Sequence, residues 1–264
     1  MKIGFVGCGN MARAMIGGII KGGVAAPGDI FVSAKTAESV EKAVKDFSVT
    51  GCRSNGEVVE KSDVIIFAVK PQMYEAVLSE TAGSFTEDKT AVSIAPGKTL
   101  DWMASLLPAG TKIVRANPNT PAMVGEGITA YCANGSVGEK DREAVCRIFE
   151  SFGGACEMTE SQMAGFIALC GSSPAYIYML IDAMADGGVL GGIPKATAIK
   201  LAAQAVLGSA KMVLETGEHP DLLKDQVCSP AGTTIEAVAV LEELGFRSAV
   251  IEAERACMDK CNSI

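Results

Sequence analysis

Met1-Lys2-Ile3-Gly4-Phe5-Val6-Gly7-Cys8-Gly9-Asn10-Met11-Ala12 decides the fold. Lys2 to Val6 reads as a short buried strand, Gly7-Cys8-Gly9 as a tight turn, and a helix opens near Asn10 with Met11, Met15, Ile16, Ile19 and Ile20 along one side. A G-x-G-x-x-A pattern between a strand and a helix is the fingerprint of a dinucleotide site. Gly7 makes the turn and Gly9, without a Cβ, lets the backbone approach a pyrophosphate. Ala12 permits close packing of helix on strand. The exposed N–H groups of the helix start attract the phosphate charge.

The chain has 264 residues, enough for two domains. A net charge of -8 and a pI near 4.9 argue against a nucleic-acid partner. No apolar run of about 18 residues is free of polar interruption, so no membrane span is expected. The N-terminus lacks the charged and apolar regions of a signal peptide. Nine cysteines, an odd number with no CxxC pair, fit reduced thiols in a cytoplasmic protein. Cys257 and Cys261 lie four apart but have no second ligand pair, and no metal site is expected. With His219 the only histidine, placed in a helix-ending turn, Ser-His-Asp and zinc-hydrolase chemistry are poor candidates.

Outward from the glycine turn, Ile30 to Ser33 is the second strand. NAD enzymes place a carboxylate at the end of this strand for the ribose 2′-hydroxyl. Here Ser33, Lys35 and Thr36 stand there instead, which favours NADP, although the same residues also read as a solvated turn. A short strand starts at Val49, and Ser54-Asn55 opens a helix, with Asn55 either only a cap or also facing the adenosine. Residues 63–69 are a near-continuous apolar run, as in a central parallel strand. Ligands bind beyond the carboxyl ends of such strands, so Ala68, Val69, Lys70, Pro71 and Gln72 form an expected cofactor wall. Further strands are expected over 90–94, 112–115, 127–132 and 155–158, with a helix over 139–151. Asn117-Pro118-Asn119-Thr120-Pro121 reads as a stiff polar loop at the catalytic edge, or as a plain turn.

The composition changes near Thr159, and strand-like alternation stops. Six helices are expected, over 161–169, 174–189, 194–216, 220–227, 233–244 and 247–262. The division is a dinucleotide-binding domain over 1–158 and an all-helical domain over 159–264. The helices flanking Gly187 to Pro194 are apolar enough to suggest subunit association, with core packing as the ordinary alternative. Cys170-Gly171-Ser172-Ser173-Pro174-Ala175-Tyr176 and Ser229-Pro230-Ala231-Gly232-Thr233-Thr234 each stand at an expected helix start. Each offers hydroxyls and backbone N–H groups, for a small carboxylate or simply as an N-cap. Between Ser161 and Pro194 there is no Lys, Arg or His. Hydride transfer to a carbonyl ordinarily wants a general acid. A protonated imine carries its own charge and needs none.

These motifs together resemble the pyrroline-5-carboxylate reductases over nearly the full length. The matching stretches are Gly7 to Ala12, Ala68 to Gln72, Arg115 with Pro118 to Pro121, Ser172 with Pro174 to Tyr176, Leu214 to Pro220, and Ser229-Pro230 with Gly232-Thr233-Thr234. The resemblance implies an α/β Rossmann-type domain with a mostly parallel sheet, followed by an all-α dimerisation domain. It implies a homodimer, often within a larger ring such as a decamer. It implies NADPH-dependent reduction of 1-pyrroline-5-carboxylate to L-proline, with NADH sometimes accepted. On this reading Gly7, Gly9, Asn10, Met11 and Ala12 hold the pyrophosphate, and Ser33, Lys35 and Asn55 the adenosine end. Ala68, Val69, Lys70 and Pro71 line the nicotinamide ribose, with Asn117 and Pro118 opposite. Ser229, Gly232, Thr233 and Thr234 bind the substrate carboxylate, with Thr234 also at the ring nitrogen.

Three positions depart from the family pattern: Asn117 stands for its Met, Ser173 for a Gly and Ala231 for a second Gly. Two rivals remain. A β-hydroxyacid dehydrogenase resembles this architecture but needs a lysine on the first helix of its second domain. A non-catalytic NADP-binding regulator would bind the cofactor without turning over cyclic imines.

Overall fold

In the computed structural model, which describes residues 1–263, strand β1 (Ile3–Val6) lies at the centre of the sheet and is buried throughout. In chain order follow α1 (Asn10–Lys21), β2 (Ile30–Ser33), α2 (Ala37–Phe47), β3 (Thr50–Gly51), α3 (Asn55–Lys61), β4 (Val64–Phe67), α4 (Tyr74–Thr81), β5 (Thr90–Ser93) and α5 (Leu100–Ala104). Then come β6 (Lys112–Pro118), β7 (Gly127–Ala133), α6 (Glu139–Glu150) and β8 (Gly153–Glu157). The eight strands form one sheet in the order β3-β2-β1-β4-β5-β6-β7-β8. Pairs from β3 through β6 are parallel, β7 runs antiparallel to β6, and β8 is parallel to β7.

Side chains alternate across a strand, so a strand covered by helices on both sides is apolar along most of its length. Val64 and Ile66 of β4 join one core with Ile3, Phe5, Met15, Ile16, Ile19 and Phe149. Ile65 and Phe67 join the other, with Val6, Phe31, Tyr74, Leu78 and Met103. Helices thus lie on both faces, and the parallel strand ends are left free at one edge of the sheet.

The polar stretch at 117–121 differs from the expected loop. Strand β6 continues through Asn117 and Pro118, which pair with Ala130 and Thr129 of β7. Pairing with β5 ends at Arg115, so Pro118 stands where β6 is flanked by β7 alone, the edge-like position in which proline is tolerated. A 3₁₀ turn over Thr120–Val124 follows.

The helical region contains α7 (Met163–Phe166), α8 (Ser173–Leu190), α9 (Lys195–Thr216), α10 (Pro220–Val227), α11 (Thr233–Glu243) and α12 (Phe246–Asn262). By contacts the chain divides into one unit of 1–171 with 257–264 and a second of 172–256. The expected break before Ser172 is absent. Residues 160–190 run as one helical segment, with a π-helical turn over Ile167–Ser172. Cys170 to Tyr176 therefore offers no helix start, and the set of unpaired N–H groups expected there does not form.

Within the second unit α8 and α9 pack on small residues, with Ala185, Ala198 and Ala202 buried. Leu190, Leu214, Leu244 and Met179 are exposed at 92%, 84%, 79% and 73%, so this unit leaves its large apolar groups uncovered. No span was expected, yet 160–190 and 195–216 are long and apolar enough to cross a bilayer by length and composition alone. Asp182 and Asp186 on α8, both paired with Lys195, interrupt the first of these.

Candidate active site

The glycine turn forms as its spacing predicts. Gly7 has φ of +99°, and a Cβ there would stand 2.7 Å from the Ala68 carbonyl oxygen. The Gly7 N–H donates to the Ser33 carbonyl at 2.9 Å, joining the turn to the end of β2. Gly9 is the N-cap of α1, and a Cβ built on it meets nothing within 4 Å. No side chain among the described residues caps this helix, and its first turn holds no acidic group. Open space over uncapped N–H groups is the arrangement a pyrophosphate needs. Ala12 is fully buried against the core, as expected of the third position of the fingerprint. Burial pushes the Cys8 thiol up, with Arg13 opposing, so the turn carries no thiolate charge against a phosphate.

At the end of β2, Ser33 Oγ donates to Asn55 Oδ1 at 2.8 Å. Asn55 is the first residue of α3 rather than its cap, a role taken by Ser54, whose Oγ accepts from Glu57 N at 3.1 Å. Asn55 Nδ2 in turn donates to Glu80 Oε2 at 3.0 Å. This carboxylate of α4 escaped the sequence reading, because no local pattern links residues 25 apart. Lys35 lies exposed just past β2, without an ion pair among the described residues. Thr36 is engaged as the cap of α2.

Beyond β4, the Ala68 N–H donates to the Val6 carbonyl at 2.8 Å. Val69 leans on the glycine turn, its Cγ1 3.0 Å from where a Gly7 Cβ would stand. Pro71 opens a 3₁₀ turn, capped by exposed Lys70, that leads into α4. Gly7, Ala68 and Val69 are thus brought together.

Arg115 and Asn117 lie on β6, and Asn119 follows just beyond its end. Arg115 Nη1 donates to Glu160 Oε1 at 2.9 Å, and the same oxygen accepts from Leu100 N at 2.9 Å. Asn117 is buried, and its Nδ2 has no hydrogen-bond partner among the described residues. Asn119 bridges two elements: Nδ2 donates to the Cys170 carbonyl at 3.0 Å, and Oδ1 accepts from Ile128 N at 2.9 Å. Its place in the Pro-Asn-Thr-Pro run was the only sequence signal for it.

The turn over 229–234 belongs to the second unit. It leads into α11 at Thr233, with Gly232 as N-cap and no side-chain cap among the described residues. The Gly232 N–H donates to the Ser229 carbonyl at 3.0 Å, and a Cβ on Gly232 would fall 2.2 Å from Ser229 Oγ. Ala231 adopts φ of +56°, a left-handed conformation that costs an L-residue about 1 kcal/mol. Glycine would relieve this, which gives a physical reason for the family's preference at that position. His219 caps α10 through Nδ1, accepting from Asp221 N at 3.2 Å, which leaves it a structural role.

A Rossmann sheet with an uncapped glycine-turn helix is the arrangement of a dinucleotide-binding protein. A family model described as "NADP oxidoreductase coenzyme F420-dependent" matches residues 2–97. A second, for pyrroline-5-carboxylate reductase dimerisation, matches 160–264. The chain is 51% identical to the pyrroline-5-carboxylate reductase of Escherichia coli K12 over all of its own length and 98% of that protein. It is 41% identical to that of Methanosarcina acetivorans over 96% and 93%. The Coxiella burnetii enzyme structure superposes with a TM-score of 0.93 at 33% identity, covering 99% of this chain and 97% of that one. The Plasmodium falciparum enzyme, solved with NADP bound, gives 0.90 at 31% over 100% and 97%. The chain belongs to the pyrroline-5-carboxylate reductase family. It reduces 1-pyrroline-5-carboxylate to L-proline with a nicotinamide cofactor and is a homo-oligomer.

Proposed function

We propose that the cofactor's pyrophosphate lies on Gly7, Gly9, Asn10, Met11 and Ala12, with the adenosine end at Ser33, Lys35 and Asn55. The nicotinamide ribose lies along Ala68, Val69, Lys70 and Pro71, with Asn117 and Pro118 opposite. The observation that carries this reading is the uncapped start of α1 beside a turn that only glycine can make. When bound, the cofactor supplies a hydride. The chain's own task is to hold the imine carbon against it, since a protonated C=N group is already electrophilic. The absence of any Lys, Arg or His from Ser161 to Pro194 supports a mechanism without a protein acid.

Ser229, Gly232, Thr233 and Thr234 receive the substrate carboxylate through the unpaired N–H groups of α11 and nearby hydroxyls, with Thr234 also bonding the ring nitrogen. Thr234→Ala is expected to leave folding intact and to lower kcat about 10-fold or more. A steady-state assay following NADPH absorbance reads this, and near-normal turnover removes Thr234 from the chemistry.

NADPH is the preferred donor on this reading. Lys35, exposed just past β2, is the cation that would meet a 2′-phosphate. Lys35→Ala is expected to weaken NADPH about 10-fold more than NADH, the worth of one charge-assisted hydrogen bond. Titrating both cofactors checks it, and equal losses would move the 2′-phosphate elsewhere.

The exposed apolar groups of α8 and α9 suit a homodimer, assembled into a ring such as a decamer, in the cytoplasm. Light scattering on the native protein counts the subunits.

A further inference from the structure

The parallel ladders at the ligand edge run one bond past their strands. Ala68 N donates to the Val6 carbonyl at 2.8 Å, and Gly7 N to the Ser33 carbonyl at 2.9 Å. Between β4 and β5 the register pairs Phe67 with Ser93, so the equivalent bond would run from Ile94 N to the Phe67 carbonyl. Tyr74 occupies that place instead. Its hydroxyl donates to the Phe67 carbonyl and accepts from Ile94 N, the latter at 3.2 Å. The residue is fully buried, with its ring against that of Phe67 at 6.3 Å between centroids. Burial pushes the phenol up to about 12, so the hydroxyl keeps its proton and remains a donor.

A bridging oxygen puts two hydrogen bonds, the one from Ile94 N at 3.2 Å, where one would otherwise close the gap. It therefore spreads the two strand ends at the edge where ligands of parallel sheets bind. Core packing does not call for the hydroxyl. Phenylalanine would fill the same space and let the backbone pair close directly.

We propose that Tyr74 is a positioning residue whose hydroxyl replaces the last β4–β5 ladder bond and sets the width of the slot between Ala68 and Ala95 that receives the nicotinamide half of the cofactor. This rests on the reading of Ala68, Val69, Lys70 and Pro71 as cofactor contacts. The chemistry takes place at the ring that this slot holds, so its width governs how close the hydride donor comes to the imine carbon.

The test is Tyr74→Phe in the full-length protein. The expected result is a KM for NADPH raised about 10-fold and a kcat lowered about 10-fold, as a displacement of under 1 Å in a reacting group produces. The Ile94 amide gains protection from hydrogen exchange as it closes onto Phe67. A role confined to packing would instead lower thermal stability and leave KM and kcat alone. KM and kcat both within about threefold of the parent therefore overturn the proposal whatever the melting temperature. A separate titration of the unaltered protein with NADPH, followed by amide chemical shifts, tests the underlying reading. Movement of the Ala68 and Ala95 signals upholds it. Unmoved signals remove the cofactor from this slot, and the proposal with it, independently of the variant.

Discussion

Gly7→Ala is expected to raise the dissociation constant for NADPH about 100-fold. At φ of +99° an alanine is strained, and its Cβ would lie 2.7 Å from the carbonyl oxygen and 2.8 Å from the carbonyl carbon of Ala68. Both are backbone atoms at the end of β4 and have no rotamer to move aside. Backbone strain of about 1–3 kcal/mol, plus the overlap, leaves the turn or the β4 end to shift. Either shift pulls the start of α1 away from the pyrophosphate or moves Ala68 from the ribose. About 3 kcal/mol lost from the bound geometry corresponds to the stated factor. Fluorescence titration with NADPH measures it, with circular dichroism confirming that the sheet persists. A dissociation constant within threefold of the parent would show that the turn is not at the cofactor.

Asn119→Ala is expected to lower the melting temperature by about 8 °C, with cofactor binding changed far less. The residue is 8% exposed, and its side chain donates to a carbonyl of the π turn and accepts from the N–H of Ile128, the second residue of β7. Truncation removes both hydrogen bonds, at about 1–3 kcal/mol each. The carbonyl is the more consequential of the two. A π turn departs from the α-helical pattern, and within it the Cys170 carbonyl accepts from Asn119. Asn119→Asp separates the two contributions. It keeps the acceptor for Ile128 but sets an oxygen against the Cys170 carbonyl, so it is expected to be at least as damaging as alanine. Thermal unfolding of both variants decides the matter. A loss under about 2 °C for Asn119→Ala would mean that solvent replaces both bonds.

The sheet was legible from sequence wherever its strands are covered on both sides. Ile30 to Val32 and the apolar centre of 63–69 announce themselves because a doubly covered strand is apolar over nearly all its length. The helix starts at Asn10 and Thr233 were legible because glycine and hydroxyl residues precede them. The continuous helix through Ser172 was not. Gly171 and Pro174 are the usual marks of a boundary, and a proline in a helix's first turn is compatible with a fresh start. The π turn takes up Gly171, Pro174 follows in the first turn of α8, and Asn119, 51 positions away from Cys170, donates a hydrogen bond to the π turn.

By itself the sequence determined the βαβ core, the glycine turn, the all-helical second half and the hydroxyl turn over 229–234, because each follows from residues adjacent in the chain or one helical turn apart. Tertiary structure decided the rest. It carried β6 through Pro118 by pairing it with β7, brought Glu80 to Asn55, locked Asn119 between Ile128 and Cys170, and set the Tyr74 hydroxyl between Phe67 and Ile94. For the last two, Asn119 and Tyr74, the reason is the same. A buried polar group must find a partner wherever the topology supplies one, and that partner is chosen by the packing of distant elements, which leaves no periodic mark in the chain.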